Sequence, residues 1–159
     1  MRNNFFFHFS EPKHNFSEVL PRLTQKELYH SARVMGMSAG EYCAQFLSTD
    51  KSVRDAAAKK LGSMGKEGAY AVLPLLTADD WVFRYRACEV IGLSGCFELA
   101  KRIAPLLSDT NADVRRMAVQ SLGKIGNAEY ADFVKPLTKD SDAAVIREAF
   151  RTLQKWKKD

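Results

Sequence analysis

One short pattern recurs along this chain at a nearly constant spacing, and it constrains the fold more than any other feature. The pattern Val-Arg-x-x-Ala-x-x-x-Leu-Gly-x-x-Gly occupies residues 53–65, 83–95 and 114–126, with Phe for Val and Ile for Leu in the middle copy, and a weaker copy covers residues 145–154. Successive copies are separated by 30, 31 and 31 residues. A period of this length accommodates one helical hairpin. The sequence therefore predicts an all-α fold, a right-handed α-solenoid of stacked helical hairpins.

Each repeat pairs a first helix with a second helix that carries the pattern. Pro74, Pro105 and Pro136 recur inside the first helices at steps of 31 residues. Proline removes one backbone hydrogen bond and bends a helix, so we expect a shared kink in these first helices. Aspartates precede the second helices, where they can cap free backbone N–H groups. A glycine after the second helix allows a left-handed residue that ends it.

Arginine occupies the same position in three repeats, and aspartate lies in the adjoining turns. Because a solenoid stacks equivalent positions about one repeat apart, each guanidinium should reach an aspartate of a neighbouring turn. We expect a structural ladder made of Arg54, Arg84, Arg115, Asp50, Asp80 and Asp109. A row of anion-binding arginines is the alternative interpretation of the same spacing.

The Asp-x(3)-Val-Arg-x-x-Ala-x(3)-Leu-Gly-x-x-Gly pattern resembles HEAT repeats of the short kind first described in phycobilin lyases, and the resemblance covers roughly residues 48–157. Members of this family include adaptors, lyase subunits, hydroxylases and nucleic-acid enzymes, so the resemblance implies an architecture and no single activity. The fourth copy departs from the pattern, with Ile146 in the arginine position, Arg147 one place late and Gln154 in place of glycine. Such departures are typical of a capping repeat.

The first part of the chain does not follow the repeat. We divide the chain into an aromatic N-terminal segment with a diverged helical cap, residues 1–37, and about four HEAT-like hairpins, residues 38–159. We expect Phe5, Phe6, Phe7 and Phe9 either to cap the solenoid or to dock onto a partner, since exposed aromatic rings invite aggregation. Residues 22–42 also look like the helices of ribbon-helix-helix DNA-binding proteins, but Pro21 lies where the preceding strand would have to pair.

Composition and motifs exclude several classes of function. Lys and Arg outnumber Asp and Glu by 24 to 19. The cysteines lack the spacing of a zinc site or a disulfide framework, and no segment is long and apolar enough for a membrane helix. His8, His14 and His30 precede the repeats without a following Glu, unlike the iron-binding His-Glu pairs of HEAT-type hydroxylases. We therefore expect a cytoplasmic protein without a cofactor, a metal, a catalytic site or contact with a membrane.

The second helices provide the best candidate for a functional surface, since in this architecture they normally line the concave side. Their solvent-side positions become basic toward the C-terminus, and Tyr85 and Met117 add apolar contact area. The expected partner-binding residues are Tyr85, Arg86, Glu89, Arg116, Met117, Gln120, Lys124, Arg147, Arg151 and Lys155. We expect a non-catalytic adaptor or scaffold that binds a protein partner with an acidic surface.

Two alternatives stay open. The resemblance implies that the chain could be an enzyme or chaperone subunit of the phycobilin-lyase type, which would require a chromoprotein client. The basic C-terminal half also suits a nucleic-acid-binding solenoid. A small-molecule substrate is not expected, because no glycine-rich phosphate loop or nucleophile motif occurs.

Overall fold

The computed structural model describes residues 38–126 and 128–157, and every regular element in these ranges is helical. The α-helices are α1 (Ala39–Ala44), α2 (Lys51–Ser63), α3 (Lys66–Ala71), α4 (Trp81–Ser94), α5 (Ala100–Ile103), α6 (Ala112–Ile125), α7 (Ala131–Val134) and α8 (Ala143–Trp156). Short 3₁₀ segments cover Gln45–Leu47, Leu73–Thr77, Phe97–Leu99, Ala104–Ser108, Ala128–Tyr130 and Lys135–Lys139. Phe5, Phe6, Phe7 and Phe9 lie outside the described residues, so the expectation that they cap or dock stays a prediction.

Four long helices form the body of the array in the part of the chain that the structure describes. α2, α4, α6 and α8 pack against one another in chain order, and the short helices α3, α5 and α7 with their 3₁₀ segments lie between them in sequence and contact them. The predicted all-α solenoid of helical hairpins is confirmed. The long helices are the second helices of the sequence pattern.

The repeated alanine and leucine of the pattern form the core. Ala57, Ala87, Ala118 and Ala149 are all fully buried, which lets adjacent helices approach closely. The pattern leucines Leu61 and Leu122 are fully buried too. Burying one such side chain stabilises a fold by about 1.5–3 kcal/mol. Because each repeat contributes the same set, the core continues from repeat to repeat.

A polar side chain caps the N-terminus of each long helix. The caps are Asp50, Asp80, Asn111 and Asp142, whose side-chain oxygens accept hydrogen bonds from backbone N–H groups of the first turn. The predicted carboxylate caps are therefore present in three of the four long helices. In α6 the cap is Asn111, and the flanking aspartates predicted for that turn do not cap it.

Each recurring proline lies where a first helix changes from α-helical to 3₁₀ geometry. Pro74, Pro105 and Pro136 lie in the opening positions of the 3₁₀ segments Leu73–Thr77, Ala104–Ser108 and Lys135–Lys139. Proline cannot donate the hydrogen bond that would continue the α-helix. The predicted interruption of the first helices is thus a change of helix type at a fixed position.

The glycines of the pattern serve two different purposes. Gly95 ends α4 in the left-handed conformation, with φ of 71°, as the sequence predicts, whereas Gly126 ends α6 with φ of −87°. Gly92 lies inside α4, where a Cβ atom would come within 2.6 Å of the Ser121 Oγ atom on α6. The glycine that follows the pattern leucine therefore permits close packing of neighbouring long helices.

Candidate partner-binding surface

The long helices share one solvent-facing surface. On each helix, three residues spaced four apart lie on the same side, because this spacing returns to nearly the same helical face. We call these twelve residues the long-helix face. They are Asp55, Lys59 and Ser63 on α2, Tyr85, Glu89 and Leu93 on α4, Arg116, Gln120 and Lys124 on α6, and Arg147, Arg151 and Lys155 on α8; none is buried.

Charge changes sign along the long-helix face. Its α2 residues comprise one acidic and one basic side chain, and its α4 residues include one acidic and no basic side chain. Two of the three residues on α6 are basic, as are all three on α8. The last two long helices therefore present five cations and no carboxylate within this set, which favours binding of an anionic surface.

Two residues expected on the solvent side are buried instead. Arg86 is 5% exposed and Met117 is 4% exposed, so neither offers contact area to a partner. Arg86 Nη2 donates to Asp55 at 2.6 Å and Arg86 Nη1 donates to Glu89 at 2.6 Å. Arg86 therefore lies in the contact between α4 and α2 and joins these two helices. The partner-binding prediction is corrected for Arg86 and for Met117, because both side chains are buried.

Tyr85 lies at the centre of a polar and aromatic group on the face. Its ring packs edge-on against Trp81, with ring centroids 6.4 Å apart, and the Arg86 guanidinium lies 5.4 Å from the Tyr85 ring centroid. Burial and the carboxylate of Glu89 raise the Tyr85 pKa, which the nearby Arg116 partly opposes. This arrangement holds Tyr85 as a neutral, half-buried side chain between the acidic and basic parts of the face.

The basic residues of α6 and α8 differ in how far they are engaged. Arg116 pairs with Asp113 at 3.1 Å, and Lys155 Nζ donates to the Gly123 carbonyl at 2.6 Å. Arg151 also has an ion-pair partner on its own helix, Glu148 at 3.2 Å, but its side chain remains 74% exposed. Lys124 and Arg147 are exposed and form no ion pair with any described residue. Exposed cations without a carboxylate partner among the described residues therefore lie on both α6 and α8.

The arginines at the repeated position link consecutive repeats. Arg84 Nε and Nη2 donate to the two carboxylate oxygens of Asp109 at 2.7 and 2.9 Å, and Arg115 donates in the same way to Asp140 at 2.8 Å for both bonds. Bidentate pairs of this kind fix orientation as well as adding energy. Asp140 was not among the residues expected in the ladder.

The aspartates expected in the ladder take two roles. Asp109 is a ladder carboxylate, whereas Asp50 and Asp80 are N-caps that accept from backbone N–H groups, so their expected pairing with arginine is corrected. The reason is positional, since a cap carboxylate accepts from N–H groups of its own helix, whereas the ladder carboxylate lies two residues earlier in the turn. Arg54 has no carboxylate partner among the described residues, and its Nη1 donates to the Ser48 carbonyl at 2.6 Å.

The ladder lowers the pKa values of its carboxylates. Hydrogen bonds from Arg115 lower the Asp140 pKa, against a smaller opposing effect of burial. For Asp109, burial alone would raise the pKa, but hydrogen bonds from Arg84 and from the Asn111 N–H group produce a net decrease. Both carboxylates are therefore ionised in the neutral range, and their charges support the pairing.

Comparison with known families identifies the architecture. The protein family described as HEAT repeats matches residues 71–154, more than half of the 159 residues. The chain belongs to the HEAT-repeat family. The match does not distinguish the phycobilin-lyase subtype, which stays a resemblance. HEAT-repeat solenoids commonly act as scaffolds for protein interactions and are typically non-catalytic.

Solved structures show the same fold. The HEAT-repeat chain is similar to two engineered proteins of the Northeast Structural Genomics Consortium, with 19% and 20% sequence identity and TM-scores of 0.55 and 0.53. The similarity covers 85% of this chain in each comparison, and 68% and 41% of the two engineered chains. A search of curated proteins found no match. The likeness therefore concerns the fold alone.

The departures of the fourth HEAT repeat fall at the positions that bind a following repeat. The arginine position is where Arg84 and Arg115 reach the next carboxylate, and it holds Ile146 in the fourth repeat. The glycine position is where Gly92 meets the next long helix, and it holds the exposed Gln154. Neither residue has a following repeat to contact among the described residues.

Neither a reactive thiol at Cys88 nor a metal-binding cluster is found among the described residues. Burial raises the pKa of the Cys88 thiol to about 12, which removes its nucleophilic form at neutral pH. Within residues 38–126 and 128–157, no three His, Cys, Asp or Glu side chains lie together as a metal site would require. The same part of the chain contains no helix with the length and apolar character needed to cross a bilayer.

Proposed function

We propose that this HEAT-repeat chain is a non-catalytic adaptor that binds a protein partner with an acidic surface through the long-helix face. The observation that supports the proposal most is the concentration of five cations on α6 and α8, of which Lys124 and Arg147 have no ion-pair partner among the described residues. An unpaired surface charge adds little to folding stability. Its arrangement with like charges on neighbouring helices instead favours attraction of an oppositely charged surface.

The acidic side of the face supports a defined orientation of the partner. Glu89 and Asp55 lie on α4 and α2, and both are engaged by the buried Arg86. Tyr85 and the exposed Leu93 provide apolar area next to the cations. Aromatic and apolar anchors beside charged groups are typical of binding hot spots. The partner is therefore expected to place carboxylates over α8 and apolar side chains over α4.

Charge reversal tests the proposal. Replacing Arg116, Arg147 and Arg151 with Glu should abolish recovery of the partner in affinity purification at native abundance, while the circular-dichroism melt stays nearly unchanged. The matched control replaces Lys101, Arg102 and Lys139, three exposed cations of the short helices and their 3₁₀ segments, with Glu. Both variants change the net charge equally. Loss of the same partner from both variants, or from neither, would contradict a specific role of the face.

Nucleic acid is the second candidate ligand, and the same five cations favour it. Phosphate contacts would make the affinity fall steeply with salt, with a slope of about 0.9 per neutralised phosphate on duplex DNA. Fluorescence anisotropy with a labelled DNA duplex and an RNA of equal length, repeated at several salt concentrations, separates this candidate from the first. Binding that keeps the same affinity and salt slope when Arg116, Arg147 and Arg151 are replaced with Glu would reject it. The lyase alternative rests on resemblance alone, and a cytoplasmic location stays a prediction.

A further inference from the structure

The residue that follows the proline-containing 3₁₀ segments has one repeated backbone conformation. Ala78, Asp109 and Asp140 are extended, with φ of −64°, −60° and −60°, and Ser48 at the end of Gln45–Leu47 has φ of −61°. We call these four residues the turn positions. The geometry is independent of the side chain that the turn position carries.

Each repeated arginine is anchored to the turn position of its own repeat. Arg54 Nη1 donates to the Ser48 carbonyl at 2.6 Å, and Arg84 Nη1 donates to the Ala78 carbonyl at 2.7 Å. Arg115 makes the same bond to the Asp109 carbonyl at 2.8 Å. The three guanidinium groups are thus held by the same nitrogen, and in Arg84 and Arg115 the Nε and Nη2 atoms reach the next repeat.

The fork of Arg54 lacks the carboxylate that the other two forks bind. Arg84 and Arg115 use Nε and Nη2 to bind the turn-position carboxylate of the next repeat. The corresponding turn position for Arg54 is Ala78, whose methyl group accepts no hydrogen bond. The Arg54 Nε atom is buried and has no hydrogen-bond partner in the part of the chain that the structure describes. A buried donor without a partner is unfavourable, because it has lost its hydrogen bonds to water.

A backbone N–H group near position 78 also lacks the acceptor that its equivalents have in the later repeats. In the later repeats, the turn-position carboxylate also accepts from the N–H group two residues on, as Asp109 does from Asn111 and Asp140 does from Asp142, both at 2.8 Å. The equivalent N–H group, that of Asp80, has no acceptor among the described residues.

The carboxylates nearest in sequence do not fill the site. The Asp80 side chain accepts from the Val82 N–H group at 2.9 Å, so it serves as the cap of α4. Asp79 is exposed and forms no ion pair with Arg54, and its main-chain carbonyl accepts from Arg84. The two carboxylates add negative charge near the fork, so a ligand has to gain its affinity from directed hydrogen bonds rather than from net charge.

We propose that the Arg54 fork and the Asp80 N–H group form a binding site for one carboxylate group, supplied either by a small free carboxylate or by an acidic side chain of a bound protein. The site would reproduce the three hydrogen bonds that Asp109 and Asp140 accept within the chain. The site contains no residue of the long-helix face, so its test is independent of the test of the proposed adaptor function.

Nuclear magnetic resonance of the arginine Nε–H groups tests the site directly. The full chain is labelled with ¹⁵N, and the signals of Arg54, Arg84 and Arg115 are assigned with single Arg→Lys variants. Sodium acetate is then titrated against sodium chloride at equal ionic strength and constant pH. Acetate should move the Arg54 signal in a saturable way, whereas the other two signals should stay fixed because their forks are already occupied.

Two further arms make the result decisive. Ala78→Asp places a carboxylate in the vacancy, so it should remove the acetate response of Arg54 and shift its signal toward those of Arg84 and Arg115. A blocked peptide with a single Asp distinguishes the ligand source: a response to acetate alone assigns the site to free carboxylates, and a response to both extends it to protein side chains. An Arg54 signal that behaves identically in acetate and chloride would overturn the proposal.

Discussion

Arg84 and Asp109 form a bidentate ion pair between consecutive repeats, and the main-chain carbonyl of Asp109 accepts in turn from Arg115 at 2.8 Å. Because Arg115 also binds Asp140 of the following repeat, a continuous chain of hydrogen bonds joins three repeats. Both ion pairs are largely shielded, with side-chain exposures of 15% and 6% for the first pair. The ladder therefore contributes to the coupling between neighbouring hairpins on which solenoid stability depends.

Removing one ladder arginine should destabilise the fold. Arg115→Ala deletes both donors to Asp140 and leaves that carboxylate shielded without its partner, at an expected cost of about 1–3 kcal/mol. Urea denaturation followed by circular dichroism measures the change. Arg147→Ala is the matched control, because this arginine is exposed and forms no ion pair with a described residue, and it should change stability by less than about 0.5 kcal/mol. Equal effects of the two variants would contradict the structural role of the ladder.

The ladder also predicts how stability depends on pH. Hydrogen bonds from Arg115 lower the Asp140 pKa in the folded state, so the carboxylate contributes stability above its unfolded pKa of about 3.9. This contribution is lost as the pH falls through the lowered folded value. The wild type should therefore lose stability more steeply below about pH 4 than Arg115→Ala, as measured by urea midpoints. Parallel curves for the two proteins would be inconsistent with this pairing.

Placing a carboxylate at turn position 78 should stabilise the protein. Ala78 has the extended backbone of Asp109, so Ala78→Asp requires no change of backbone conformation and gives Arg54 a bidentate partner. The expected gain is about 1 kcal/mol. A double-mutant cycle with Arg54→Ala checks its origin, because the gain should disappear when the guanidinium is absent. A gain of the same size in both backgrounds would assign it to another cause.

Close packing between the long helices should make Gly92 intolerant of any side chain. A Cβ atom at Gly92 would lie 2.6 Å from Ser121 Oγ and 2.9 Å from the Ser121 Cα atom, so the backbone of α6 would have to move. Gly92→Ala should therefore destabilise the fold by about 1–3 kcal/mol. At Gly40, the nearest atom is Ser38 Oγ at 3.9 Å, and Gly40→Ala should be neutral or stabilising by up to about 1 kcal/mol. Thermal melts of both variants give the comparison.

Repeat spacing located the helices and the ladder arginines because these features recur with the period. The spacing could not identify Asp140 as a ladder residue, since the sequence does not show which turn of the next repeat a guanidinium reaches. The same limit applies to Asp50 and Asp80, which are close to their arginines in sequence but cap helices in the structure.

Helical periodicity was also insufficient to separate the surface from the seam. Tyr85 and Arg86 are adjacent in sequence and both were expected to face solvent, yet only Tyr85 does so, because Arg86 turns into the contact between α2 and α4. Arginine is mostly exposed in folded proteins, so the sequence alone favours a solvent-facing Arg86. The sequence feature that indicates a paired arginine is a carboxylate on each side of it along the chain: Asp55 lies 31 residues before Arg86 and Glu89 lies three residues after it.

Site-specific photocrosslinking tests the central claim, that a partner binds the long-helix face, most directly. Gln120 lies on this face between the cations of α6, and replacing it with p-benzoylphenylalanine places a photoreactive group there. Lys101, which is exposed on α5, carries the same group in the control protein. Irradiation in cells should give a specific covalent adduct from position 120 and not from position 101, and it should be lost when Arg116, Arg147 and Arg151 are replaced with Glu. An adduct that forms at position 101 alone, or that survives the charge reversal, would contradict binding through this face.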